Sequence, residues 1–203
     1  MASKLSSLDP IERRTFYIGL LAQVWAMIET HIDVACEAAL LDLGGRDKFD
    51  VLPRSMSRKI KLLRYVHNNS EKLAAFREPT VRILDSAGEA AEQRNGHIYA
   101  AALGALDGSG SAFLLQYKYQ PDGLDSQYRT VTLSDLLDDL HEGRVLMDAV
   151  PLVVRLTLEA CGRSVPDELG TRPHSDQHQR PSPTRREKQI VLDLQRLRKV
   201  RWP

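Results

Sequence analysis

The feature that most constrains this chain is one long helical pattern near its start, between Asp9-Pro10 and Gly44-Gly45. Asp9 is a residue type that caps helices, Pro10 suits the first helical position, and Glu12 completes a capping box with Asp9. Gly44 and Gly45 tolerate the positive φ that ends many helices. A helix of about 34 residues is about 50 Å long, so we expect it to pack on more than one neighbour or on a second subunit.

Apolar residues in this first helix recur at the spacing of a helical face and form a wide stripe. The predicted buried set is Phe16, Leu20, Val24, Met27 or Ile28, Ile32, Ala35 and Ala39, widened by Tyr17, Leu21 and Trp25. So wide a stripe is typical of a helix inside a bundle.

Two further helical patterns and a pair of strands come next. Residues 56–68 predict a short amphipathic helix with a basic outer face. Another helical stretch starts near Ser70 and continues to about residue 98, and we expect Pro79 to break or kink it. Alternating residues at about 112–132 then predict a β-hairpin around a Pro-Asp-Gly turn.

A final helical pattern follows the hairpin. Thr132 or Ser134 is suited to cap this helix, which runs to about Cys161 and ends at Gly162. Pro151 lies inside it and is expected to kink it. The predicted fold class is therefore all-α, an antiparallel helical bundle of four to five helices with an inserted β-hairpin.

The formal net charge of +1 conceals an uneven distribution. Residues 180–203 hold eight basic and two acidic side chains, a net +6, and the rest of the chain carries −5. We predict three regions: a bundle at 1–162, a flexible linker at 163–186 that is rich in proline and polar residues, and a basic amphipathic tail at 187–203. The nucleic-acid-binding candidates in and beside the tail are Arg185, Arg186, Arg196, Arg198, Lys199 and Arg201. A tail helix that docks on its own bundle or is frayed in solvent is an alternative of at least equal weight.

Several classes of protein are disfavoured by composition and motifs. No apolar run approaches the about 20 residues of a membrane helix, and the first residues have no apolar signal core, so we expect a cytoplasmic protein with no membrane partner. Two distant cysteines, Cys36 and Cys161, exclude a disulfide framework and a four-cysteine zinc site. No glycine-rich phosphate loop is present. His31 and Asp33 are most simply a solvated face, so we expect no metal and no cofactor.

One short stretch, residues 92–99, holds a candidate catalytic site. A helix places Arg94 and His97 as i,i+3 neighbours, with Asn95 and Tyr99 on an adjacent face. Metal-independent RNA cleavage needs a base for the ribose 2′-OH and a cation for the phosphate, and His97 and Arg94 are suited to these roles. One histidine per subunit is few for both acid and base work, so this hypothesis predicts a homodimer that supplies two.

Structural interpretations of the same residues remain open. Arg64 and His67 have the same spacing without indicating a site, and a histidine on an amphipathic helix is most often a structural or surface residue. Arg94 is equally suited to an ion pair with Glu29 or Glu92. The acidic residues at 135, 138, 139 and 142 lie at a helix start, where they favour the helix dipole.

The order of three features resembles the HEPN superfamily (higher eukaryotes and prokaryotes nucleotide-binding) of small helical bundles. These features are the aromatic-and-glutamate first helix at residues 19–29, the loop and basic helix at residues 52–63, and Arg94-Asn95 late in a helix before a hairpin and a closing helix. Together they cover roughly residues 10–162.

The resemblance implies a dimeric, metal-independent RNase of the toxin-antitoxin or phage-defence type. The family signature is an arginine, a polar residue and then a histidine four to six residues beyond the arginine. Arg94 and Asn95 match it, whereas His97 stands three residues after Arg94, and Tyr99 stands five after it. Some relatives have lost the catalytic pair and act as binding or immunity partners.

Two hypotheses therefore follow from the sequence. In the first, Arg94, Asn95, His97 and Tyr99 form the catalytic site of an RNA endonuclease. In the second, the chain is a non-catalytic helical dimer or interaction module whose basic tail binds nucleic acid or a protein partner.

Overall fold

The computed structural model describes residues 7–100, 112–120, 123–165, 190–192 and 195, with the backbone alone at 98–100, 112–120 and 123–129. The elements are α1 (Pro10–Asp42), α2 (Met56–Asn69), α3 (Arg77–Ala100), β1 (Ala112–Gln120), β2 (Gly123–Val131) and α4 (Leu133–Ala160), with 3-10 turns at Gly45–Asp47 and Glu71–Phe76. The predicted all-α helical bundle with an inserted β-hairpin is therefore confirmed.

Local hydrogen bonds explain where α1 begins and ends. The Asp9 Oδ1 atom accepts hydrogen bonds from the backbone N–H groups of Ile11 and Glu12, at 2.8 and 2.9 Å. The Glu12 carboxylate accepts the Asp9 N–H at 3.3 Å, which completes the predicted capping box. After the helix, Gly44 has a φ of +76°, in the left-handed region that favours glycine.

The two ends of α4 are formed in the same way. The Thr132 hydroxyl accepts the Asp135 N–H at 3.1 Å, and the Asp135 carboxylate accepts the Thr132 N–H at 2.7 Å. At the other end Gly162 has a φ of +72°, and the Arg163 N–H reaches back to the Leu158 carbonyl at 3.0 Å. This long backward bond is the mark of a Schellman helix end. Pro151 lies inside α4, as predicted.

The segment around Pro79 differs from the expectation of one broken helix. The residues after Ser70 form a 3-10 turn, Glu71–Phe76, and α3 begins at Arg77. Pro79 therefore lies in the first turn of α3, where the backbone N–H that proline lacks has no helical acceptor. The proline is tolerated here without interrupting a helix.

The hairpin lies between α3 and α4. Its strands β1 and β2 pair antiparallel, with Ala112 opposite Val131 and Gln120 opposite Gly123. Both strands fall within the predicted interval 112–132.

The described residues divide into two compact units. The first is formed within residues 1–25 and 90–143, and the second within residues 26–89 and 144–203. In the first unit, Gly143 of α4 lies against α1, because a Cβ added there would come within 3.0 Å of Val24 and 3.8 Å of the Trp25 indole nitrogen. The buried Arg14 guanidinium donates to the Val131 carbonyl at 3.0 Å, which ties α1 to the end of β2.

The second unit has an aliphatic core with a few buried polar groups. Its fully buried side chains come from α1, α2, the turn before α3, α3 and α4, and they include Ile32, Leu63, Phe76, Leu84 and Val153. These side chains from five segments of the chain form the close-packed core of the unit.

The predicted stripe of α1 is correct on one side and wrong on the other. Leu21, Trp25, Ile28, Ile32, Ala35 and Ala39 are buried, at alternating spacings of four and three residues. Phe16, in contrast, is 42% exposed, and of the alternatives Met27 and Ile28 it is Ile28 that is buried. A helix that packs along one seam buries one side of a wide apolar stripe, and the other side remains at the surface. No helix in the described part of the chain is both long and apolar enough to span a bilayer.

Candidate functional site

The candidate site lies in the first unit, where the end of α3 meets α1 and α4. Arg94 and His97 occupy adjacent turns of α3, as their spacing predicts. The two side chains have different partners, however. Arg94 lies over an aromatic ring of α1, and His97 contacts a carboxylate of α4.

His97 is paired with Asp139. The Nε2 atom of His97 contacts the Asp139 Oδ2 atom, and the His97 residue is 2% exposed. A hydrogen bond to a carboxylate places the proton of a neutral imidazole on Nε2 and leaves Nδ1 as an acceptor. Among the described residues, no group hydrogen-bonds to this buried Nδ1 atom.

Arg94 packs on Trp25. Its guanidinium carbon lies 5.3 Å from the centre of the indole ring, within the range of a cation–π contact. Trp25 is buried and Arg94 is half-buried, so the ring covers one face of the guanidinium. The sequence offered an ion pair with Glu29 or Glu92 as the structural interpretation of Arg94, and that interpretation stays a prediction beside the aromatic contact.

The other predicted site residues are placed less completely. Asn95 is exposed on α3. Tyr99 is within α3, but its side chain lies outside the described residues. The tail residues Arg185, Arg186, Arg196, Arg198, Lys199 and Arg201 and most of the linker also lie outside them. Ile190, at the start of the tail, is helical and buried.

The geometry orients His97 as a general base requires, but it does not give a substrate access to the ring. A carboxylate that binds one nitrogen of an imidazole fixes its orientation and leaves the other nitrogen to take a proton. A base must also come within hydrogen-bond reach of the proton it removes. With 2% of His97 exposed, a ribose hydroxyl in solvent does not reach its ring in this arrangement. The pair is well suited to joining α3 to α4, and the catalytic role of His97 stays a prediction.

Asp139 is the site residue that sequence reasoning missed. In the sequence, its position among neighbouring acidic residues indicates only a favourable charge at a helix start. Asp135 does serve the helix end, since its carboxylate accepts hydrogen bonds from the Thr132 N–H and hydroxyl. Asp139 lies one turn later, its side chain is 19% exposed, and it faces His97. Its i,i+4 spacing from Asp135 is a weak signal, because spacing on one helix does not predict a partner on another.

A second buried histidine, His67, lies in the second unit. Its Nδ1 atom is 2.9 Å from the Thr80 hydroxyl and its Nε2 atom is 3.1 Å from the Thr157 hydroxyl. Burial lowers the pKa of His67 to about 4. A neutral ring held by hydroxyls of α3 and α4 is a structural element of the core, which agrees with the sequence interpretation that Arg64 and His67 are not a site.

The remaining reactive side chains have structural surroundings. Burial raises the pKa of the Cys36 thiol to about 12 and that of Cys161 to about 11, so neither is a ready nucleophile at neutral pH. Asp33 pairs with the buried Lys59 at 2.5 Å. Across the described part of the chain, no group of three or more histidine, cysteine or acidic side chains is placed to hold a metal ion.

Comparisons of the chain with protein-family models, with curated proteins and with solved structures found no match in any of the three. The resemblance to the HEPN superfamily therefore stays a prediction.

Proposed function

We propose that this chain is a non-catalytic helical module that binds nucleic acid or an acidic protein through its basic C-terminal tail. The burial of His97 against Asp139 is the observation that carries the proposal. A buried imidazole bound to a carboxylate stabilises the contact between two helices, and removing either partner leaves a buried polar group unsatisfied. The histidine that suggested catalysis thus has a sufficient structural role.

The charge distribution supports a binding role for the tail. The last 24 residues have a net charge of +6 beside a body of −5, so a polyanion is attracted to the tail and repelled by much of the rest. At the start of the tail, Ile190 is buried, whereas Val191 and Leu192 are exposed.

Salt-dependent binding of labelled single-stranded RNA to the full chain tests this proposal. The double variant Arg198→Gln/Arg201→Gln should bind more weakly and with a shallower salt dependence, because each lost phosphate contact reduces the slope of log K against log salt by about 0.7. The double variant Arg144→Gln/Arg155→Gln has the same change of net charge outside the tail and is the matched control. Equal affinities for both doubles would remove the tail from the binding surface.

A second candidate is the dimeric, metal-independent RNase. The favouring observation is that Asp139 holds Nε2 of His97 while Nδ1 has no partner among the described side chains, one turn after the arginine. In this candidate, Arg94 binds the scissile phosphate, Asn95 orients it, His97 is the general base, and Tyr99 assists by hydrogen bonding. It requires α3 and α4 to separate far enough for a 2′-OH to reach the ring, for example on forming a dimer.

Incubation of the full chain with total RNA in EDTA distinguishes the two candidates. The non-catalytic module gives no cleavage beyond that of His97→Gln. The RNase gives EDTA-resistant cleavage that is lost in His97→Gln and in Arg94→Lys. Asn95→Ala is a useful further variant for the RNase candidate. Because Asn95 is exposed, its replacement should leave the thermal midpoint unchanged, so a loss of cleavage in this variant would not be due to unfolding.

A further inference from the structure

A basic depression lies on the second unit, at one side of α2. It has a volume of about 360 Å³ and its walls include Lys48, Lys61, Arg64, Tyr65 and the neighbouring amides of Asn68 and Asn69. None of its lining residues is acidic. Sites for small organic ligands begin near about 300 Å³, so this volume is sufficient for one nucleotide.

The three cations of the depression differ in how far they are neutralised. The Arg64 Nε atom lies 3.1 Å from the Asp85 carboxylate, which fixes the guanidinium and offsets part of its charge. The Lys48 ammonium lies 5.2 Å from the centre of the Tyr65 ring, a contact that leaves its charge uncompensated. Lys61 is exposed and has no ion-pair partner among the described residues. Two uncompensated ammonium groups beside one depression favour an anionic ligand.

The aromatic ring and the amides narrow the class of anion. A half-buried tyrosine ring offers a face on which any nucleobase stacks. The Asn68 side-chain amide offers both a donor and an acceptor to a base edge, whereas the Asn69 amide nitrogen already donates to the Tyr65 carbonyl at 2.7 Å. Lipid headgroups and acidic peptides would use the cations and leave the ring without a role. The combination of phosphate-binding cations with a stacking ring is that of a nucleotide-binding surface.

The surroundings favour a strand over a free nucleotide. Arg58 and Arg54 are exposed, and Arg58, Lys61, Tyr65 and Asn68 follow one another at spacings of three, four and three residues. Such spacing places them in one row on α2, about 15 Å long. The basic row therefore extends beyond the depression, where further phosphates of a chain would lie.

We propose that the depression between Lys48, Lys61 and Tyr65 binds single-stranded nucleic acid, with one base stacked on Tyr65 and adjacent phosphates on the two lysines. A base that stacks on the ring displaces the Lys48 ammonium toward its phosphate. This site is built from residues 48–69 and does not rest on the tail.

Fluorescence anisotropy of the full chain with a labelled RNA of roughly 12 nucleotides, in EDTA, tests the site. In Lys48→Gln/Lys61→Gln, the affinity at low salt should fall about tenfold and the slope of log K against log salt should become shallower by about 1.4. Tyr65→Leu should lower the affinity about tenfold with the slope unchanged, whereas Tyr65→Phe keeps the ring and should retain it. Thermal melts confirm that each variant folds.

Matched variants separate this site from general charge effects and from the tail. Arg144→Gln/Arg155→Gln removes the same two charges outside the depression and should leave the affinity unchanged. An equal loss in this control would overturn the proposal, as would an affinity that Lys48→Gln/Lys61→Gln does not alter while Arg198→Gln/Arg201→Gln abolishes it. Competition by free AMP as strong as that by unlabelled RNA would overturn binding of a strand.

Discussion

Acidification should destabilise this protein through one buried histidine, His67. The ring is fully buried and its two partners are the hydroxyls of Thr80 and Thr157. Burial lowers the pKa of His67 from 6.5 to about 4, because the charged ring loses its hydration inside the core. The unfolded chain therefore takes up the proton first as the pH falls.

The size of the effect follows from that difference. At about 1.4 kcal/mol per pH unit, the interval between 6.5 and about 4 corresponds to about 3 kcal/mol of the free energy of unfolding. The contribution is fully present above pH 6.5, decreases as the pH falls below 6.5, and levels off below about pH 4. The free energy of unfolding of a folded domain is typically about 5–15 kcal/mol, so a loss of about 3 kcal/mol is a large part of it.

Hydrogen bonding to the His67 ring opposes the effect of burial, because it favours the charged form of the ring. The Thr80 hydroxyl also lies 2.8 Å from the Phe76 carbonyl, and the Thr157 hydroxyl 2.8 Å from the Val153 carbonyl. A neutral ring has one N–H, so one threonine must turn its proton from its carbonyl to the ring, whereas a charged ring donates to both. That rearrangement costs about 1 kcal/mol, less than the several kcal/mol of burying an ion. The effect of burial is therefore the larger one, and the pKa of His67 is lowered.

Urea unfolding at several pH values between 7.5 and 4.5 measures the effect. His67→Gln is the comparison, since glutamine keeps a donor and an acceptor and does not titrate, and carboxylates titrate equally in both proteins. The difference in free energy of unfolding should shrink by about 1.4 kcal/mol per pH unit below pH 6.5. The NMR signals of the His67 ring should not titrate above pH 5. A constant difference, or a ring that titrates near pH 6.5, would refute the reasoning and mean that both hydroxyls accept from a charged ring.

Three further predictions concern one helix end and two glycines. Thr132→Ala should lower the free energy of unfolding by about 1 kcal/mol, because it removes the capping hydroxyl of α4, whereas Ser134→Ala, exposed in the first turn, should have little effect in the same urea titration. Gly45→Ala should cost about 1–3 kcal/mol, since a Cβ there would lie 2.7 Å from the Ala39 carbonyl oxygen. Gly19→Ala meets nothing within 4 Å and should raise stability by about 0.5–1 kcal/mol through helix propensity, and a loss at this position would contradict the open surroundings.

The partners of the candidate site residues depend on how the helices pack, and the sequence did not predict them. Arg94 and His97 share adjacent turns of α3, as spacing requires, yet one lies over Trp25 and the other against Asp139. The distance along the chain from His97 to Asp139 is 42 residues, and no local pattern links them. The basic depression likewise combines Lys48, from a loop, with Tyr65 of α2.

The sequence by itself determined α1 and α4 and their ends. Asp9, Thr132 and Gly162 act through hydrogen bonds or backbone conformations that involve residues within five positions, so their effects are readable in one short window. The same local reasoning predicted the hairpin.

Tertiary structure alone decided which surfaces are covered. Phe16 belongs to the apolar stripe and is nevertheless exposed, because burial depends on what packs against α1. The same reason explains why burial lowers the pKa of His67 and why His97 contacts a carboxylate. The free energy of a polar side chain depends on partners from distant segments of the chain. Hydropathy and residue spacing do not identify those partners.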